Sequence, residues 1–91
     1  MELKEKVAKA LRGAFKPERI LLRDQEGISG FVVSPRFRRM RALDRQQLIY
    51  DALRAPAAKL TQAELRQVLA IAPLTPTEYA ALGEMGEENG K

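Results

Sequence analysis

The sequence predicts a single small α+β domain in the order helix-strand-strand-helix-strand-helix, its three-stranded sheet covered by helices. Three observations predict it. Apolar residues recur at three- and four-residue steps near the start. Two short apolar runs then flank a polar, glycine-containing turn. Later, a β-branched run lies between two helix-start signals. At 91 residues, with 45% apolar and 31% charged side chains, the chain has material for one core and one domain.

The opening helix carries Leu3, Val7, Ala10, Leu11, Ala14 and Phe15 on one face and Lys4, Glu5, Lys9 and Arg12 on the other. Lys16-Pro17 ends it, because proline disfavours the α conformation in the residue before it. Ile20-Leu21-Leu22 is the first strand and Ile28 to Ser34 the second. Asp24-Gln25-Glu26-Gly27 turns between them, with glycine supplying a positive φ. Gly30 inside the second strand marks a bulge or a close backbone approach. Ser34-Pro35 starts a helical turn with a serine cap. A second long helix is expected from Asp44, with Gln47 at capping-box spacing and a buried stripe of Leu48, Ile49, Ala52 and Leu53. Pro56 stops it near Ala55.

Thr61-Gln62-Ala63-Glu64 has capping-box spacing, so a short helical turn is expected from Gln62. Val68-Leu69-Ala70-Ile71, followed by Pro73, reads as a strand over about 66–72. One continuous helix across 62–71 is the rival reading. Thr75-Pro76-Thr77-Glu78 is a capped helix start, with Tyr79 and Leu82 facing inward and Gly83 as the stop. Residues 1–83 are thus the expected domain, and 84–91 an acidic flexible tail.

Composition removes whole classes of chemistry. The chain has no cysteine, histidine or tryptophan. It holds no disulfide scaffold, Cys/His zinc site or thiolate-ligated cluster of its own, and no Ser-His-Asp or Cys-His nucleophile system. Glu78 reads as a cap, Tyr50 and Tyr79 as edges of the core, and Asp24 and Glu26 as turn residues. No enzymatic activity, resident metal or cofactor is therefore expected. The charged start, Glu2-Leu3-Lys4-Glu5-Lys6, lacks the apolar run of a signal peptide. No apolar stretch approaches the ~18 residues of a membrane span. A soluble, cytoplasmic protein is the expectation.

Charge is concentrated. The net charge is +4, and Arg36, Arg38, Arg39, Arg41 and Arg45, set against Asp44 alone between Ser34 and Gln47, account for all of it. With Gln46 beside them, these residues are the candidate partner-binding or nucleic-acid-binding site. A planar guanidinium suits phosphate, and such contacts make binding salt-sensitive. A solvated basic face and a dock for an acidic protein fit the same residues. Phe37-Arg38-Arg39-Met40 is not the Gly-x-x-Gly loop that clamps an RNA backbone.

Phe31-Val32-Val33-Ser34, Phe37, Met40 and Arg45-Gln46-Gln47-Leu48-Ile49-Tyr50 together resemble the central signature of BolA-like proteins. Leu74-Thr75-Pro76-Thr77-Glu78-Tyr79 resembles that family's closing T-P-x-E-aromatic box. The resemblance spans roughly Leu3 to Leu82 and implies a fold similar to a class II KH domain. It further implies pairing with monothiol glutaredoxins, a part in iron–sulfur handling or iron regulation, and for some members stress-linked roles and DNA binding. In the family, a histidine at the start of the last strand ligates the shared cluster, aided by a histidine or cysteine from the first hairpin loop. Matching Leu69-Ala70-Ile71 to that strand puts Gln67 at the histidine position, and Asp24 to Ser29 offers neither ligand. A glutamine amide is a poor ligand for cluster iron. Arg38 stands where the family has a glycine after the phenylalanine. The resemblance therefore implies the fold and the partner class, with no cluster ligand donated by this chain.

Overall fold

The computed structural model describes residues 2–89, with side chains from Glu2 to Leu82. Helix α1 (Leu3–Phe15) leads through Lys16, at φ 43°, into β1 (Arg19–Asp24) and β2 (Ile28–Val33). A 3-10 turn over Pro35–Phe37 precedes α2 (Ala42–Arg54). A second such turn, Pro56–Ala58, precedes α3 (Gln62–Arg66), β3 (Val68–Leu74) and α4 (Pro76–Asn89). The expected element order holds, and the short α3 followed by a strand replaces the rival single helix.

The sheet runs β1-β2-β3, with β2 in the centre, antiparallel to β1 and parallel to β3. Residues alternate between faces along each strand. Ile28 and Val32 of β2 and Ile71 of β3 meet Val7, Leu11 and Phe15 of α1 and Ile49 and Leu53 of α2 in the core. Phe37 completes it, fully buried, its ring 5.1 Å from that of Phe15. Phe31 stands on the opposite face, where Tyr79 of α4 packs on it at 5.3 Å.

Two glycines make the sheet possible. Gly30 has φ 152°, and a methyl there would overlap the Leu21 carbonyl oxygen on the paired strand. The close approach read from the sequence is therefore real. Gly27, at φ 126°, lies where a methyl would meet Leu69 Cδ1 at 2.7 Å. Leu69 itself is a bulge residue. Ile28 pairs with Val68 and Ser29 with Ala70, so Leu69 has no partner across β2 and stays 62% exposed.

Several expectations need correction. α2 begins at Ala42, before Asp44, because Arg41 in extended backbone (ψ 158°) is the residue outside the first turn. No side chain caps it; Asp44 instead pairs with Arg41, and Gln47 donates to Asp51 at 2.8 Å. Leu48 is 37% exposed and Leu82 51% exposed, so neither is a core residue. β3 starts at Val68, because Gln67 is still in the αR conformation at the end of α3, and it runs through Pro73 to Leu74. Proline is tolerated there because β3 is an edge strand. α4 continues past Gly83 to Asn89. The end of the expected flexible tail, residues 90–91, lies outside the described residues. Among the described residues, no helix is long and apolar enough to cross a membrane.

Candidate functional site

Two of the five arginines are bonded to backbone carbonyls elsewhere in the fold, the exposed Arg36 and the part-buried Arg45. Ser34, fully buried, donates its hydroxyl to the Phe15 carbonyl at 3.0 Å and accepts from the Arg36 amide at 3.2 Å. Arg36 Nη1 donates to the Ala14 carbonyl at 2.9 Å. The Ser-Pro-Arg segment thereby satisfies two carbonyls that the end of α1 would otherwise leave open. Its positive charge sits at the negative end of that helix.

Arg45 is the more deeply placed of the two, its side chain only 14% exposed. Nε donates to the Met40 carbonyl at 3.0 Å, and Nη1 reaches the Pro73 carbonyl at 3.2 Å and Glu78 Oε1 at 2.7 Å. One guanidinium therefore ties the loop before α2 to the end of β3 and the first turn of α4. Next to it, Gln46 Nε2 donates to the Ile71 carbonyl at 3.3 Å. Sequence reasoning missed this pairing. The Arg-Gln dipeptide on one side of α2 and Pro73 in an edge strand were its only signals.

Arg38, Arg39 and Arg41 are exposed. Arg39 has φ 59°, and Arg41, its side chain 90% exposed, makes a loose 3.4 Å contact with Asp44. The continuous five-arginine surface of the sequence is thus divided into two fastening residues and three solvated ones.

At the other end of the sheet, Gln67 is exposed and its carbonyl accepts from the Ile28 amide at 2.7 Å. It lies beside the turn that ends at Gly27, with the exposed Leu69 two residues on. The start of β3 and the first hairpin loop therefore meet at one surface. Among the described residues, no group of three or more histidine, cysteine, aspartate or glutamate side chains is placed to hold a metal ion.

Two carboxylates fasten helix starts, both within capping boxes. Glu64 accepts from Lys6 at 2.8 Å and from the Thr61 amide at 2.9 Å, joining α3 to α1. Glu78 accepts from Arg45 and, at 2.8 Å, from the Thr75 amide. The Lys6 ammonium first, then the Thr61 amide, hold the Glu64 carboxyl below the usual glutamate range. The Arg45 guanidinium first, then the Thr75 amide, do the same for Glu78. A carboxyl with a lower pKa in the folded than in the unfolded chain stabilises the fold above its ordinary pKa. That contribution is lost as pH falls through the folded value. Resistance to urea should therefore decline below pH 4.5, the ordinary glutamate value. The Glu64→Gln/Glu78→Gln double variant should start less stable at neutral pH and lose less on acidification. An acid limb as steep as that of the wild type would rule these two groups out as its source.

The fold and its fastenings define a class: a small α+β protein with a mixed three-stranded sheet, two helices on one face and a capped helix after the last strand. No family model matches the sequence, and no curated protein matches it either. Solved structures do match. A bol-like protein from Babesia bovis superimposes with a TM-score of 0.68 at 29% identity, over 91% of this chain and 95% of that one. BolA1 from Mus musculus gives 0.62 at 26% identity, over 100% of this chain and 73% of that one. The BolA domain of SufE1 from Arabidopsis thaliana gives 0.62 at 24% identity, covering 81% and 92%. In fold, and at 29% and 26% identity in sequence, the chain is similar to BolA-like proteins.

Proposed function

We propose that this chain is a non-enzymatic accessory protein of iron–sulfur and iron handling. It docks a monothiol glutaredoxin at the surface formed by Gln67, Leu69 and the first hairpin loop, and it donates no cluster ligand. One observation carries this reading. In a BolA-like fold, the exposed Gln67 and the loop before Ile28 adjoin, linked by the 2.7 Å bond from the Ile28 amide to the Gln67 carbonyl. A partner can be met there, yet the chain contains neither histidine nor cysteine to bring to iron. The exposed Leu69 supplies apolar contact area in the middle of that surface. The nucleic-acid reading is the weaker one. Arg36 and Arg45 already have internal acceptors, which leaves Arg38, Arg39 and Arg41 to meet phosphate.

The test is co-elution with a monothiol glutaredoxin under iron–sulfur reconstitution. The two proteins should elute together, with visible absorption matching that of the glutaredoxin's own cluster. Leu69→Asp should weaken the complex by about tenfold, a loss in the range of a single interface anchor. Gln67→His should leave the spectrum unchanged, because the hairpin loop still lacks its ligand. Absence of co-elution would remove the proposal. A new absorption band with the unaltered chain would remove the claim that it contributes no ligand.

A further inference from the structure

The two edges of the sheet are finished differently. On β3, Gln46 holds the Ile71 carbonyl, Arg45 holds the Pro73 carbonyl, and Pro73 has no N–H to offer. That edge is closed to another strand. β1 is the other edge strand. Among the described residues, no side chain hydrogen-bonds to its backbone in the way Gln46 and Arg45 do on β3.

Beside β1 runs a groove of about 460 Å³ between the strand and α1. Ile20 and Leu22, both half-buried, line its strand side. Lys4, Lys9 and Arg12, all exposed, line its helix side, with Glu5 as the sole carboxylate. Arg19 and Arg23 are exposed on β1 itself, flanking the exposed Leu21. An open edge offers main-chain hydrogen bonds, and β1 offers apolar positions on its helix face (Ile20, Leu22) and cationic ones on the other (Arg19, Arg23).

We propose that the β1 edge takes an extended, acidic peptide segment of a partner protein as a fourth strand. Its apolar side chains would rest against Ile20 and Leu22 on the helix face. Its carboxylates, alternating to the opposite face, would meet Arg19 and Arg23, while Lys4, Lys9 and Arg12 add a longer-range attraction. Charge selects this occupant over a second copy of the chain. Two β1 edges pairing antiparallel about Leu21 would set Arg19 against Arg23 twice, Glu18 against Asp24 twice, and two basic helix faces together. Like charges so placed are unfavourable.

The probe is a capped synthetic peptide of alternating glutamate and valine, titrated into the full chain and followed by amide NMR. Chemical shifts and slowed hydrogen exchange should concentrate at Arg19–Asp24, and affinity should fall as salt is added. The Arg19→Gln/Arg23→Gln variant changes only exposed side chains, and its far-UV circular dichroism should match the wild type. It should bind at least about tenfold more weakly, the size expected from two modest surface charge contacts. A peptide with lysine in place of glutamate should not bind. The proposal is overturned by absence of binding, by shifts centred away from β1, or by equal affinity in the variant. It is overturned equally by a dimer whose contact maps to β1. None of these readouts involves the Gln67 surface.

Discussion

Gly30→Ala should leave the domain largely unfolded. The atoms an alanine methyl would meet belong to the backbone of β1: the Leu21 carbonyl oxygen, with Leu21 C and Leu22 Cα each at 2.9 Å. A side chain could swing aside, but a paired strand cannot. The φ of 152° is also one that residues with a Cβ rarely adopt. Relief requires drawing β1 away from β2, and Ile20 and Leu22 would then leave the core they pack against. The cost should be roughly 4 kcal/mol or more, which is most of the stability a domain of this size possesses. Far-UV circular dichroism and amide NMR dispersion check it. A melting temperature within about 4 °C of the wild type would show that the strands can part to admit a methyl at little cost.

Arg45→Met should cost about 2–4 kcal/mol. Methionine preserves the stem and removes the donors. The part-buried Met40 and Pro73 carbonyls then lose a shared donor, and the 44% exposed Glu78 carboxylate loses its ion pair. Such losses are dominated by the groups left behind, so they exceed the value of an exposed ion pair. Urea unfolding at neutral pH measures the effect. Arg38→Met, at an exposed position on the same segment, serves as the comparison and should change stability by less than about 0.5 kcal/mol. Equal effects at the two positions would refute the fastening role of Arg45.

Much of the fold was legible because its signals are local. Ser34-Pro35, Thr61 with Glu64, and Thr75-Pro76 with Glu78 all form the caps their spacing announces. Gly27 and Gly30 sit at the turn and the close approach that glycine marks. The misreadings share a cause. Asp44 resembled a cap, but Arg41 in extended backbone fixed the start of α2 two residues earlier. Gly83 resembled a stop, yet a glycine weakens a helix without having to end it. Leu48 and Leu82 fit the apolar period of their helices but project beyond the area their neighbours cover.

The site was less legible. A run of arginines reads as one patch in sequence, whereas the carbonyls that hold Arg36 at the surface and draw Arg45 inward belong to Ala14 and Pro73, distant along the chain. No local pattern announces a partner at that separation. Gln67 was found by alignment to a family strand, and its neighbours at Gly27 and Ile28 emerge only from the register.

The parallel pairing of β2 with β3 also dictates an order of assembly. β1 and β2 are joined by a tight turn and can zip together as soon as that turn forms. The Val32–Pro73 and Val33–Leu74 pairs must instead close a long loop that contains both α2 and α3. That closure entropy has to be overcome before the pairs contribute anything. The hairpin and α1 therefore form the early scaffold. The surface carrying Gln67 and Leu69 is completed only when the last strand docks, so binding there should follow formation of the hairpin.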